Sequence, residues 1–148
     1  MADQTFNVFF IDDSSDEYLL SRILFRRQGV RGTLHHFTTF DAFVDYVSAR
    51  PELGTVPALV AVDLNLTLMS GTECVLRLRR RRDFDNWIVG ICSGSEDPAD
   101  RASSYAAGAD FFVPKPLDRK CLETITRICT ANSRSGGRLD VIERLMAA

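Results

Sequence analysis

Apolar residues fall along this chain in short blocks separated by polar turns, and the blocks alternate between two periods. Phe6-Asn-Val-Phe-Phe-Ile11 and Ala58-Leu-Val-Ala-Val62 are nearly continuous apolar runs, of strand length and too short for a helix. The second lies between Pro57 and Asp63 and reads as a strand buried on both faces. Trp87–Cys92, Phe111–Val113 and the shorter Thr33–Phe37 complete a set of five strands. Helical spacing fills the gaps. Ser14 and Glu17 form a capping box before a helix with Leu20, Ile23 and Leu24 on one face, ending near Gly29. Thr38 or Thr39 caps a second helix that aligns Phe40, Phe43, Val44 and Val47. After a loop from Pro51 to Pro57, the third strand and a loop containing Gly71, a third helix turns Val75 and Leu78 inward, with Arg77 and Arg79–Arg82 largely outward. Asp97-Pro98 starts a fourth helix that stops at Gly108, and a fifth runs from about Asp118 to Ala131 with Leu122, Ile125 and Ile128 or Cys129 inward. Five successive βα units predict an α/β fold, a doubly wound parallel sheet with helices on both faces.

Asn132-Ser-Arg-Ser-Gly-Gly137 reads as a flexible break, which places one domain at 1–131. Beyond it, Leu139, Ile142, Leu145 and Met146 repeat at helical spacing in a segment too short to be stable alone. This amphipathic C-terminal helix fits two roles, packing on its own domain or bridging two protomers of a homodimer, and the sequence leaves both open.

Composition narrows the class. The chain of 148 residues is 45% hydrophobic and 26% charged, as expected of a globular domain. A formal charge of −2 offers no general attraction to nucleic acid or to anionic membrane. The basic run at Arg77 and Arg79–Arg82 fits a solvated helix end, where cations complement the dipole. No apolar stretch approaches the ~20 residues of a membrane span, and the N-terminus lacks a signal core. The four cysteines form no CxxC pair. A cytoplasmic location with reduced thiols is therefore expected.

The chemistry gathers at strand ends. Asp12 and Asp13 follow the first strand, Asp63 the third, Ser93 the fourth and Lys115 the fifth. In a parallel sheet these ends share one rim, where open α/β folds bind ligands. Carboxylate oxygens suit Mg²⁺. A carboxylate beside a cation can attack a phosphoryl group, and an amine and a hydroxyl can hold the phosphoryl oxygens. Each residue alone has a plainer reading: the acids as turn or cap residues, Ser93 and Lys115 as surface groups, Phe112 as core.

With these residues in view, the sequence resembles the receiver domain of two-component response regulators. The resemblance rests on Asp12-Asp13, Val62-Asp63-Leu64-Asn65, Met69-Ser-Gly71, Cys92-Ser93-Gly94, Ala106-Ala-Gly-Ala-Asp110 and Val113-Pro-Lys115-Pro116, and covers about residues 5–131. It implies a flavodoxin-like sheet of strand order 2-1-3-4-5, and a signalling switch rather than a turnover enzyme. By the resemblance, Asp63 accepts a phosphoryl group from a sensor histidine kinase or a phosphotransfer protein. Mg²⁺ is held by Asp12, Asp13, Asp63 and the backbone carbonyl of Asn65. Lys115 pairs with the phosphoryl oxygens, Ser93 is recruited to them, and Phe112 moves with Ser93 as the switch aromatic. The Lys115–Pro116 peptide is implied to be cis. Thr67 stands where the family usually has proline, which implies a looser loop, and Phe112 has no hydroxyl for a ring hydrogen bond. Asn65 and Ser95 stand at positions that influence phosphoryl lifetime, which stays open. The chain is similar to stand-alone receivers without a DNA-binding output domain, of the kind that partner phytochrome-type or hybrid kinases. Two alternatives share part of this chemistry: a phosphoryl shuttle or sink without an output target, and a Mg²⁺-dependent phosphatase of the haloacid dehalogenase type, whose DxDxT motif Asp63-Leu-Asn65-Leu-Thr67 resembles. Against the phosphatase, Asn65 replaces its general acid, and the acidic pair precedes the nucleophile strand.

Overall fold

A computed structural model describes residues 7–55, 58–85 and 87–130. Phe6, the proposed break at 132–137, the C-terminal helix at 138–148 and the side chain of Cys129 lie outside the described residues. The strands are β1 (Asn7–Ile11), β2 (Thr33–Phe37), β3 (Ala58–Val62), β4 (Ile88–Ser93) and β5 (Phe111–Pro114). All pair in parallel in the order β2-β1-β3-β4-β5, the flavodoxin-like order expected. The helices are α1 (Ser15–Arg27), α2 (Phe40–Ser48), α3 (Gly71–Arg79), α4 (Pro98–Ala106) and α5 (Arg119–Thr130). The loop at Pro51 contains a 3-10 turn, Pro51–Thr55.

The strands read as continuous apolar runs because both faces of the sheet are covered. Alternate residues serve opposite cores. Val8, Phe10, Leu59, Ala61 and Val113 pack with Phe25 of α1 and Leu122 and Ile125 of α5. Phe9, Ile11, Val60, Val62 and Phe112 pack with Phe43 of α2 and Val75 and Leu78 of α3. Phe9 stacks on Trp87 with ring centroids 5.3 Å apart. The caps follow the sequence: Ser14 Oγ accepts from Glu17 N, Thr39 Oγ1 from Ala42 N, and Asp97 Oδ1 from Ala99 N. Gly108 follows α4 at φ +110°, a conformation that a side chain would disfavour. Among the described residues, no helix is long and apolar enough to cross a membrane.

Two expectations fail. Helix α1 buries Ser21 and Phe25, while Leu19, Leu20 and Ile23 are 44–49% exposed. Its most apolar stripe therefore faces solvent. Arg79 is not part of the solvated basic face. Its side chain is 10% exposed and pairs with Asp110, which is fully buried before β5. Arg79 also donates from Nε to the Gly108 carbonyl at 2.8 Å and from Nη1 to those of Phe84 and Trp87 at 3.3 and 3.4 Å.

Candidate functional site

Strand register brings the acids together. Ile11 and Val62 are partners across the β1–β3 ladder, so the next residues, Asp12 and Asp63, leave the sheet side by side. This is the topological switch point, where β2 and β3 flank β1 and the rim opens into a crevice. The backbone holds the ends in place. Asp63 N donates to the Ile11 carbonyl at 2.8 Å, and Asp12 N to that of Phe37 at 3.0 Å. Ser93 pairs with Pro114 at the end of β4–β5, and Lys115 N donates to the Ser93 carbonyl at 3.1 Å.

Asp12, Asp13 and Asp63 each offer an oxygen within 4.8 Å of the others. Lys115 Nζ lies 2.7 Å from Asp12 Oδ2 and 3.5 Å from Asp63 Oδ1. Asp12 is fully buried; its other oxygen, Oδ1, accepts from Ser14 N at 2.8 Å. Asp63 is 8% exposed. Burial, followed by the charge of Asp12, raises the Asp63 pKa above the ordinary carboxylate value, against the opposing pull of Lys115. Burial also works against the Lys115 ammonium, but the hydrogen bond and charge of Asp12 outweigh it, and the Lys115 pKa lies above its usual value. Asp13 is exposed. Its pKa is lowered chiefly by the hydrogen bond from the Thr67 hydroxyl. The donors suit a hard divalent cation. All are carboxylate oxygens, and Asp13 leaves the cluster open to water. Three carboxylates against one ammonium leave two negative charges, which such an ion balances.

Of the remaining expected residues, Asn65 donates a backbone hydrogen bond to the Asp63 carboxylate, while Ser93 and Phe112 make their contacts elsewhere. Ser93 is buried, and its Oγ accepts from Ser95 N at 3.2 Å within its own loop. Ser95 Oγ in turn donates to Asp100 Oδ2 of α4 at 2.7 Å. Phe112 is buried in the core below α4, with the Arg101 guanidinium 5.5 Å from its ring centroid. Asn65 is exposed and opens a loop closed by its bridge to Ser70. The Lys115–Pro116 peptide bond is cis.

Two residues of the site escaped the sequence reading. Thr67 donates from N at 2.9 Å and from Oγ1 at 2.5 Å to Asp13 Oδ2. The loop expected to be loose is thus tied to an acid of the cluster by two hydrogen bonds, neither of which proline could donate. No local pattern signals this contact across 54 residues. Gly71, placed by the sequence only in a loop and a motif, permits a close approach. A Cβ there would lie 2.3 Å from the Asp63 carbonyl oxygen and 2.9 Å from Leu64 Cα, both rigid backbone atoms. Gly71→Ala is therefore expected to cost about 1–3 kcal/mol through overpacking, read by urea denaturation, and to displace the turn that presents Asp63. Unchanged stability would show that this turn yields freely.

Comparison with known proteins agrees with this geometry. The response regulator receiver domain model matches residues 8–127. The chain is 32% identical over 88 residues to the transcriptional regulatory protein TctD of Salmonella typhimurium, a match that covers 60% of this chain and only 38% of that protein. A two component response regulator from Cytophaga hutchinsonii has the same fold at TM-score 0.73 and 22% identity, over 88% of this chain and 100% of that one. The Mn²⁺-bound form of the response regulator Rcp1 superposes at TM-score 0.60 and 17% identity, over 86% of this chain and 91% of that one. With its parallel sheet, its rim of acids and a family match across nearly all of the described residues, the chain belongs to the response regulator receiver domain family.

Proposed function

We propose that this protein is a phosphorylation-driven switch in which Asp63 accepts a phosphoryl group from a phosphohistidine of a sensor kinase or phosphotransfer protein. The observation that carries this reading is the convergence of Asp12, Asp13, Asp63 and Lys115 on one rim. An Asp63 oxygen attacks phosphorus, the phosphorus–nitrogen bond breaks, and the imidazole leaves with its electron pair. Asp12, Asp13, Asp63 and the Asn65 carbonyl would hold Mg²⁺. Bound there, the cation offsets repulsion between the attacking carboxylate and the phosphoryl oxygens. Lys115, already placed between two carboxylates, supplies a positive charge to the transferred group. Ser93 then exchanges its hydrogen bond from Ser95 N for the phosphoryl group. That exchange loosens the link through Ser95 to Asp100 and α4, and it frees Phe112 to move. A partner preferring the altered surface shifts the equilibrium.

The donor needs a docking surface, and α1 provides one. The helix begins two residues after Asp13, and Leu19, Leu20 and Ile23 form an exposed apolar stripe on it. The phosphatase alternative has less support, because the Asn65 carboxamide is far too weak an acid to protonate a leaving group.

The test is incubation with a small phosphodonor and Mg²⁺, read as the mass of one added phosphoryl group that hydroxylamine removes. Turnover of a phosphate ester without a stable adduct would overturn the reading. Comparing partner capture with and without phosphorylation separates a switch from a shuttle or sink. A further expectation follows from the charge of the cluster: Mg²⁺ raises the melting temperature and chelation reverses the gain. Binding to the folded state alone stabilises by about 2.7 kcal/mol at a hundredfold excess over Kd. A melting curve indifferent to Mg²⁺ would refute cation binding.

A further inference from the structure

We propose that Thr67 is a positioning residue that holds Asp13 in its ligating orientation and so couples cation binding to the β3–α3 loop. The inference rests on the cation-binding reading above. Asp13 is exposed, unlike Asp12 and Asp63. Water would ordinarily let such a carboxylate turn freely. Here Thr67 places two donors on a single oxygen, Oδ2, from its amide at 2.9 Å and its hydroxyl at 2.5 Å. Donors on one oxygen fix the plane of the carboxylate. In that orientation an Asp13 oxygen lies within 4.8 Å of oxygens from Asp12 and Asp63. Partners of this kind around a ligand commonly change metal affinity 10–100-fold when removed.

The coupling runs both ways. Thr67 sits inside the loop that the Asn65–Ser70 bridge closes, so whatever fixes Asp13 also fixes that loop. Leu68, 81% exposed, is carried on the same loop beside a cavity of about 330 Å³ lined by Asp13, Phe40, Thr67 and Met69. Cation occupancy is thereby displayed on the surface next to the phosphorylation site.

The experiment titrates MgCl₂ into the full chain by calorimetry, with Mn²⁺ electron paramagnetic resonance as a second probe. Thr67→Val keeps the shape and the amide but loses the hydroxyl, and is expected to bind about tenfold more weakly. Thr67→Ser is expected to stay within about twofold of the natural protein, since it restores both donors. Mg²⁺ is expected to slow amide exchange at 66–69 in the natural protein and less so in Thr67→Val. Asp13→Asn is the control. If it loses binding while Thr67→Val retains full affinity, the inference about Thr67 is overturned and the cation reading stands. Equal weakening in Thr67→Ser and Thr67→Val overturns it as well, since the hydroxyl would not be the cause. If Asp13→Asn binds Mg²⁺ normally, the cation reading itself is wrong.

Discussion

Asp63→Asn is expected to abolish phosphodonor labelling in Mg²⁺ while leaving the protein folded and at least as stable as before. The loss is chemical. An amide oxygen is a poor nucleophile and supplies no negative charge to the cluster, whereas the carboxylate does both. The stability expectation comes from the raised pKa of Asp63. A carboxylate whose folded pKa exceeds its unfolded value of 3.8 costs stability as pH rises through that value and beyond. At neutral pH the ionised Asp63 is held against burial and against Asp12, and an uncharged Asn relieves both. Labelling by intact mass and melting by circular dichroism on one sample separate these effects. Undiminished labelling would move the phosphoacceptor elsewhere. Lost labelling with a large fall in melting temperature would point to a structural role instead.

The parts of this molecule that were legible in advance are those written in local pattern. Continuous apolar runs gave the buried parallel strands, because helices cover both faces. The acids, Ser93 and Lys115 were legible because each follows such a run, and parallel pairing puts all those ends on one rim. Helix α1 departs from its sequence pattern for a physical reason. Periodicity shows that Leu20, Ile23 and Leu24 share a face, but not that the chain buries the neighbouring stripe of Ser21 and Phe25 instead. In sequence Thr67 shows only as a residue where proline is usual, and its partner Asp13, distant in sequence, reveals what its donors do. Arg79 stands in a basic run whose members Arg77, Arg80 and Arg82 are exposed. The signal that could have found it is Asp110, a lone acid directly before the apolar strand Phe111–Val113, which must be paired if it is buried.

That pair carries the largest expected effect on stability. Asp110→Ala removes the carboxylate that pairs with the Arg79 guanidinium, which is 10% exposed. It also removes the acceptor for Val89 N, which donates to Asp110 Oδ2 at 3.0 Å. Breaking a buried pair from one side costs about 3–5 kcal/mol, a large part of the roughly 5–15 kcal/mol that holds a domain together. Arg79→Met should cost a similar amount, because Asp110 would keep its charge with no exposure to water. Removing both charges, in Arg79→Met with Asp110→Ala, should cost less than the sum of the two single changes, since neither is then left buried without the other. Glu73 and Arg77 provide the contrast on the same helix. Their side chains are 40% and 49% exposed at 3.1 Å, and Glu73→Ala should cost about 0.3–0.5 kcal/mol. Urea denaturation of the four variants measures the difference. If Asp110→Ala cost no more than Glu73→Ala, the Arg79–Asp110 contact would rank with surface pairs, and the closure of β4 against β5 would rest on the strand ladder and apolar packing.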